Sequence, residues 1–565
     1  MRTARGFRAA CLVLGLALLA ASCTGPRQDA DRDSVRGGTL RVLSGEPDVA
    51  LDTAHAFAGP LLRAYARTLY GYDLSGDQVT TPVPDIASAP PQVSADQRTY
   101  TFRLRAGVRY APPVNREVTA QDFITAIERL YDQASPSGGQ QFANLIAGTT
   151  AFGAGKAARI SGLAAPDART LQLTLDQPAG DFLWILTLSF FAPVPKEYAA
   201  GYGVGESYDG HVVGAGPYKV ATNIPGETVV LDRNPNWDPA TDPLRKAWVD
   251  RIQVKLGVTV PAIQQAIDRG DADLSLTSHV PQTRVAALLA DPERSRRLSV
   301  EPTGTALHLV LGTHPGAGAI ADRRVRQAVN YAIDKVAYRD AVAGRFAPTG
   351  ELASTILAPT SLGYRPYNLY PTPGDRGNPA KAKALLAAAG YPKGLTLGFV
   401  TFGSGQLAAG NNAIKDSLAR AGIRLKVKRF KPVDLHAKSL AIPAKRLEHQ
   451  LGHSGWTNSW PGDNARDTIE PQFDSRLHGI GGNFSEYENP DVNQLIDRAL
   501  AEPDPARRAA LWAETDRRIM RDAPIVPLIW QTYSFQWAPR VHGWVYDPWT
   551  TMPDLTAPWL DPPTH

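Results

Sequence analysis

Residues 99–130 read "TYTFRLRAGVRYAPPVNREVTAQDFITAIERL", a strand, a turn-rich connection and a helix in succession. Tyr100, Phe102 and Leu104 fall on one face and Thr101, Arg103 and Arg105 on the other, the alternation of a half-buried strand. Gly107, Pro112 and Pro113 punctuate the connection. Thr119 then stands at a helix cap with Asp122 three residues on, a capping-box arrangement, and Phe123, Ile127 and Leu130 line one stripe. Such a succession predicts a mixed α/β chain.

The same pattern recurs outward from this stretch. "VRQAVNYAIDKV" places Val325, Ala328, Val329, Ala332, Ile333 and Val336 on one helical face. "NPAKAKALLAAAG" has Asn378 as cap, Pro379 in the first turn and Gly390 as terminator, and "NPDVNQLIDRAL" opens the same way at Asn489 and Pro490. Asp504 and Pro505 open a further helix, which Pro524 closes ahead of a short apolar strand. No repeat of solenoid spacing and no low-complexity tract interrupts this order.

With 565 residues, 20% of them charged and 43% hydrophobic, the chain has length for two to four domains with real cores. The formal net charge of +5 falls to +2 once Arg2, Arg5 and Arg8 of the first 22 residues are set aside, a whole-chain balance too even to argue for a nucleic-acid partner or a polybasic membrane surface. Those 22 residues have a basic start and the apolar run "AACLVLGLALLAA" (9–21), too short for a bilayer span and laid out as a secretion signal. The run ends "AASC", which resembles a bacterial lipoprotein signal and implies acylation of Cys23, with Ala20 where leucine is commoner. Cys11 and Cys23 are the only cysteines, so disulfides and cysteine metal sites are excluded from the folded body. Residues 24–38, "TGPRQDADRDSVRGG", read as a flexible tether.

Motifs for catalysis are missing. The 11 histidines are scattered, and His449 and His453 in "EHQLGH" do not make a zinc-binding helix, so ordinary hydrogen-bonded histidines are expected. "GHSGW" (452–456) fails the nucleophile-elbow spacing, "GAGKA" around Lys156 lacks the flanking residues of a phosphate loop, and "GYGVGE" at Gly201 lacks the strand-to-helix setting of a dinucleotide site. No metal and no cofactor is expected.

Ordered landmarks carry a resemblance. "GGTLRV" (37–42), "TPVPDIASAPPQVSADQRTYTFRLRAGVRY" (81–110), "VTAQDF", "GAGPYKV" (214–220), "LDRNPNWD" (231–238), "DRRVRQAVNYAID" (322–334), "NPAKAKALLAAAGYP" and "DAPIVPL" (522–528) resemble, in this order, the extracytoplasmic solute-binding proteins of family 5, the oligopeptide-binding type serving ABC importers. The resemblance implies a two-lobed periplasmic-binding-protein fold of type II with an extra domain inserted in the first lobe. The expected division is signal 1–22, tether 23–37, first lobe 38–78, inserted domain 79–157, first lobe again 158–300, second lobe 301–528 and a return to the first lobe over 529–565.

It also implies a ligand site. "SGWTNSW" (454–460) resembles the family segment G-W-x-x-D, whose aspartate pairs with a ligand ammonium; here Ser459 stands at that position and brings no charge. Asp463, Glu486 or another acid replaces it, or the ligand lacks a free amine. Trp456, Thr457, Asn458 and Ser459 are the expected contacts, Trp460 is open between cleft and core, and "HAFAG" (55–59) supplies Phe57, Ala58 and Gly59 through backbone groups. His308 lies near the lobe crossing, with cleft and core both open. The implied protein is a lipid-tethered, non-enzymatic monomer that hands a peptide or other polar solute to a permease and ATPase. Nickel complexes, sugars, opines and haem also lie within the family's range. A secreted hydrolase and a ligand-sensing receptor are the competing classes.

Overall fold

A computed structural model describes the protein from residue 35 to 562, apart from 57–58, 77–78, 136, 204–205, 278, 344–349, 443–444, 446–448 and 479–481. The signal, Cys23, most of the tether, Phe57 and Ala58 therefore lie outside the described residues.

Two large sheets organise the chain, one in each lobe. The first has five strands in the order Leu274–Ser275, Thr39–Leu43, Arg251–Lys255, Thr228–Arg233 and Tyr218–Ile224. Leu40 and Val42 of the "GGTLRV" strand point into its core, beside Leu231, Ile252 and Val254. The second has six strands in the order Glu351–Leu352, Ile525–Gln536, Leu298–Leu311, Leu451–Thr457, Leu395–Phe402 and Ile423–Phe430. Two long antiparallel strands, Leu298–Leu311 and Ile525–Gln536, carry the chain into this second sheet and back out. Where they leave it, the amide of Val280 donates to the Ser534 carbonyl at 2.8 Å and Leu274 bridges Trp537. Ala538, Val541, Leu555 and Leu560 then pack into the first core.

A third sheet of four strands, Gln92–Val93, Thr99–Arg103, Thr170–Thr174 and Leu163–Asp167, builds around the opening stretch. Its last two strands lie beyond residue 157. Phe102, Phe123 and Ile127 share one core under this sheet, and Thr119 and Asp122 cap the helix Ala120–Arg129 reciprocally. Asp85, at the edge of this unit, is fully buried between Arg67 and Arg245, with contacts of 2.7 and 2.9 Å. Arg245 also reaches Asp242 at 3.2 Å, so the paired charges bolt the unit to the first lobe.

Several sequence landmarks prove to be contacts with one another. A Cβ on Gly214 would sit 1.9 Å from the Tyr65 carbonyl oxygen, so only glycine permits that backbone approach. Asn234 donates to the Gly216 carbonyl at 2.9 Å, and Arg233 donates to the carbonyls of Ala247 and Trp248 at 2.7 and 2.6 Å.

Two local expectations are corrected. The predicted run from Val325 to Val336 is not one helix: Arg323–Ala332 ends at Ile333, whose ψ of 127° is extended, and Lys335–Ala343 begins anew. Asp334 breaks the run because its carboxylate caps the second helix, accepting from Ala337 at 2.8 Å. The strand after Pro524 is not short either. It spans twelve residues, Ile525–Gln536, because it continues out of the second lobe as a crossing.

Candidate functional site

The strand Leu451–Thr457 presents two different faces. Leu451 packs into the large core of the second lobe. His453, on the same side, is fully buried with its Nε2 2.7 Å from the Tyr338 hydroxyl and its Nδ1 3.2 Å from Thr401 Oγ1. Burial pushes its pKa down to about 3, so the imidazole is neutral.

Ser454 and Trp456 lie on the opposite face, since successive side chains alternate across a sheet. In the antiparallel register His308 pairs with Ser454 and Ala306 with Trp456, and directly paired residues share a face. His308 therefore sits on the Trp456 side. It is only 3% exposed, and burial lowers its pKa to about 4. His436 approaches the same column, its Nε2 3.1 Å from Ser454 Oγ.

Trp456 is half-buried, and its indole Nε1 has no hydrogen-bond partner among the described residues. Gly482 lies against the ring: a Cβ there would come within 2.3 Å of Cζ3. Thr457 is exposed, with its hydroxyl 2.9 Å from that of Thr305. Asn458 accepts from the Thr468 hydroxyl at 2.5 Å.

Ser459 is tied to an acid that sequence reading did not name. Its backbone N–H donates to Asp467 Oδ2 at 2.5 Å and its hydroxyl to Oδ1 at 2.9 Å. Asp467 stands in the first turn of the helix Ala465–Phe473 and is 8% exposed. Burial raises its pKa to about 7, outweighing the two Ser459 bonds, and the charges of Asp181 and Glu470 push the same way. Glu470 is raised by burial as well.

Asp463 and Glu486, the two acids named from sequence, have contacts of their own. The Asp463 carboxylate accepts from Arg508 Nε and Nη2 at 2.8 and 2.5 Å. Burial and the Asp181 charge nonetheless hold Asp463 above the usual carboxylate range. Glu486 occupies a turn with φ of 54°, where its carbonyl accepts from the Thr313 hydroxyl at 2.8 Å.

Trp460 is the plainest outcome. It is 1% exposed and sits in the core beneath the four-stranded sheet, its ring centroid 5.9 Å from that of Phe142 in an edge-to-face arrangement. Its indole N–H donates to the Asp463 carbonyl at 2.6 Å. Next to it Arg466 donates to Asp181 at 2.7 Å, both side chains buried. The segment after Trp456 thus fastens the second lobe to the unit inserted in the first. Ala54, just before the "HAFAG" loop, packs in the same core as Trp460. Gly59 is half-buried, and its carbonyl accepts from Leu62 at 3.0 Å.

Among the described residues no group of three or more His, Cys, Asp or Glu side chains converges as metal ligands do, and no helix is long and apolar enough to cross a membrane.

Comparison with known proteins agrees with this architecture. The family model for bacterial extracellular solute-binding proteins, family 5 (middle region), matches residues 81–469. Heme-binding protein A of Haemophilus influenzae is 24% identical over 560 residues, covering 96% of each chain. The periplasmic murein peptide-binding protein MppA of Escherichia coli is 27% identical over 519 residues, covering 89% of this chain and 90% of its own. Among solved structures, clavulanic acid biosynthesis oligopeptide binding protein 2 superposes with a TM-score of 0.85 at 30% identity, covering 93% of this chain and 96% of that one.

Proposed function

Because the chain belongs to family 5 of the bacterial extracellular solute-binding proteins, we propose that it captures a solute bearing a cationic group, an oligopeptide with a free amino terminus in the simplest case. The protein is the extracytoplasmic substrate-binding component of an ABC importer, and its family is one of transporter binding proteins rather than enzymes. In our reading the solute lies between the lobes against Trp456 and Asn458, and Asp467 is the acid that meets its cation. One observation carries this: Ser459, at the position of the family's aspartate, gives both its N–H and its hydroxyl to Asp467. The charge missing from the motif is thereby held one hydrogen bond behind it. A cation there removes the penalty of ionising a buried carboxylate beside Asp181 and Glu470.

Two relatives are named for peptides: the murein peptide-binding protein and a probable di/tripeptide-binding protein of Pseudomonas aeruginosa, 26% identical over 485 residues. Titration with peptides followed by tryptophan fluorescence tests the proposal. Free-amine peptides bind saturably, and their N-acetylated forms bind at least tenfold more weakly, as loss of a charge-assisted hydrogen bond requires. Equal affinity for both forms contradicts it.

Three further elements belong to this reading. Cys23 carries lipid and residues 24–37 tether the body, which mass analysis of the Cys23 peptide tests. The protein acts as a monomer and releases its solute unaltered to a permease driven by an ATPase. The inserted domain extends from 79 to about residue 175, because the strands Leu163–Asp167 and Thr170–Thr174 complete its sheet.

A further inference from the structure

The strand Ile423–Phe430 ends the six-stranded sheet and pairs on one side only, with Leu395–Phe402. Its sequence alternates sharply. Leu425 and Val427 pack against the core of the lobe, whereas Arg424, Lys426 and Lys428 are exposed on the other face. Arg429 and Lys431 follow, also exposed. No Asp or Glu occurs from Ala421 to Val433, and the next acid, Asp434, is taken by Lys438 at 2.9 Å.

These five cations form no ion pair among the described residues, and only Lys428 has an aromatic neighbour, its ammonium 5.3 Å from the Phe430 ring centre. Elsewhere the exposed arginines include paired ones, as Arg103 with Asp167, Arg251 with Asp232, Arg296 with Glu293 and Arg324 with Asp322, and others such as Arg169, Arg365 and Arg376 that form no ion pair among the described residues. The contrast is one of placement. The formal net charge of the whole chain is +5, and this one edge carries as much.

Charged side chains on an edge strand also hinder pairing with other chains. A few of either sign suffice for that, and protein surfaces ordinarily intersperse both signs. Alternate residues of a strand stand about 6.6 Å apart, so Arg424, Lys426 and Lys428 set three charges in a line about 13 Å long. The row offers no exposed aromatic or apolar anchor of the kind that dominates protein interfaces. It suits an extended anionic surface read by charge alone.

We propose that this edge docks on the anionic phospholipid headgroups of the membrane at which the importer works. The proposal rests on the family membership, which brings the protein to that membrane, and not on the identity of the solute. Each basic residue held at an anionic lipid surface strengthens binding about fivefold, within reach of the Debye length. Neutralising three weakens it about a hundredfold.

The body from Val35 onward, which makes every contact described above, is mixed at low salt with vesicles of phosphatidylglycerol and phosphatidylcholine or of phosphatidylcholine alone, and co-sedimentation is measured. Binding to the anionic vesicles only, lost in 0.5 M salt, where the Debye length falls to about 4 Å, and about a hundredfold weaker in Arg424→Gln/Lys426→Gln/Lys428→Gln with unchanged thermal unfolding, supports the proposal. A variant with Gln at Lys428 and Lys431 alone, both clear of the core, gives a smaller loss in the same direction. No preference for anionic vesicles, undiminished binding by both variants, or capture by polyglutamate but not by vesicles overturns it.

Discussion

Replacing Asp467 with Asn keeps the size of the side chain and removes its charge. The carboxylate accepts two hydrogen bonds from Ser459 and is pushed up to about 7 by burial. If it is the partner of a solute cation, the variant forfeits a charge-assisted hydrogen bond of about 1.5–3 kcal/mol, which is roughly a 10- to 150-fold loss of affinity. The wild type has a second signature. With the free carboxyl titrating near 7 and only the ionised form binding, affinity falls roughly 25-fold between pH 7.5 and 5.5. Calorimetric titration of one free-amine peptide at both values, in both proteins, reads this directly.

The folding linkage of the same group has the opposite sense. Its folded pKa is raised, so its contribution to stability is complete below pH 4 and is lost as pH rises through about 7. Affinity should rise over the window in which this contribution to stability declines, and both slopes should flatten in the Asn variant. Affinity independent of pH in the wild type, or undiminished in Asp467→Asn, would falsify the role given to this acid.

The remaining predictions concern packing. Trp460→Ala removes an indole from a fully buried site against Phe142 and should cost about 3–5 kcal/mol, measured by urea unfolding; a loss under 1 kcal/mol would mean that this contact between lobe and inserted unit does not form in solution. Gly482→Ala drives a methyl into the Trp456 ring, so the indole must shift, and both its emission maximum and solute affinity should change. His453 titrates near 3 in the folded chain, so its contribution to stability is present above pH 6.5 and declines as pH falls, by about 2 kcal/mol at pH 5. His453→Gln should reduce the measured acid slope by that amount and leave the part due to His308, whose pKa burial also lowers, to about 4; an unchanged slope would assign all of it to other groups.

Legibility followed distance along the chain. The capping box of Thr119 and Asp122, the Asn378 cap that accepts from Lys381 at 3.0 Å and the Asp504 cap that accepts from Arg507 at 2.8 Å are contacts between near neighbours, and the residue types announced them. The break at Ile333 was hidden because an apolar stripe continues across it and only Asp334 betrays a new cap. The resemblance carried the fold, and its landmarks are close backbone contacts such as Gly214 on Tyr65. In the site, the face shared by His308 and Trp456 depends on strand register, and the core position of Trp460 depends on a partner, Phe142, in another unit. Asp467 was missed because its link to Ser459 crosses a loop, and no spacing rule marks it. Phe57, Ala58 and Cys23 fall outside the described residues.

In the proposed function the lobes enclose a solute and leave its bonds intact. Native mass spectrometry of the protein incubated with a free-amine peptide pool, followed by release of the bound fraction, addresses it most directly. One solute per chain, recovered at its original mass, is the expected result. Recovery of cleaved or otherwise altered peptide, or no retained solute from any pool, would contradict it.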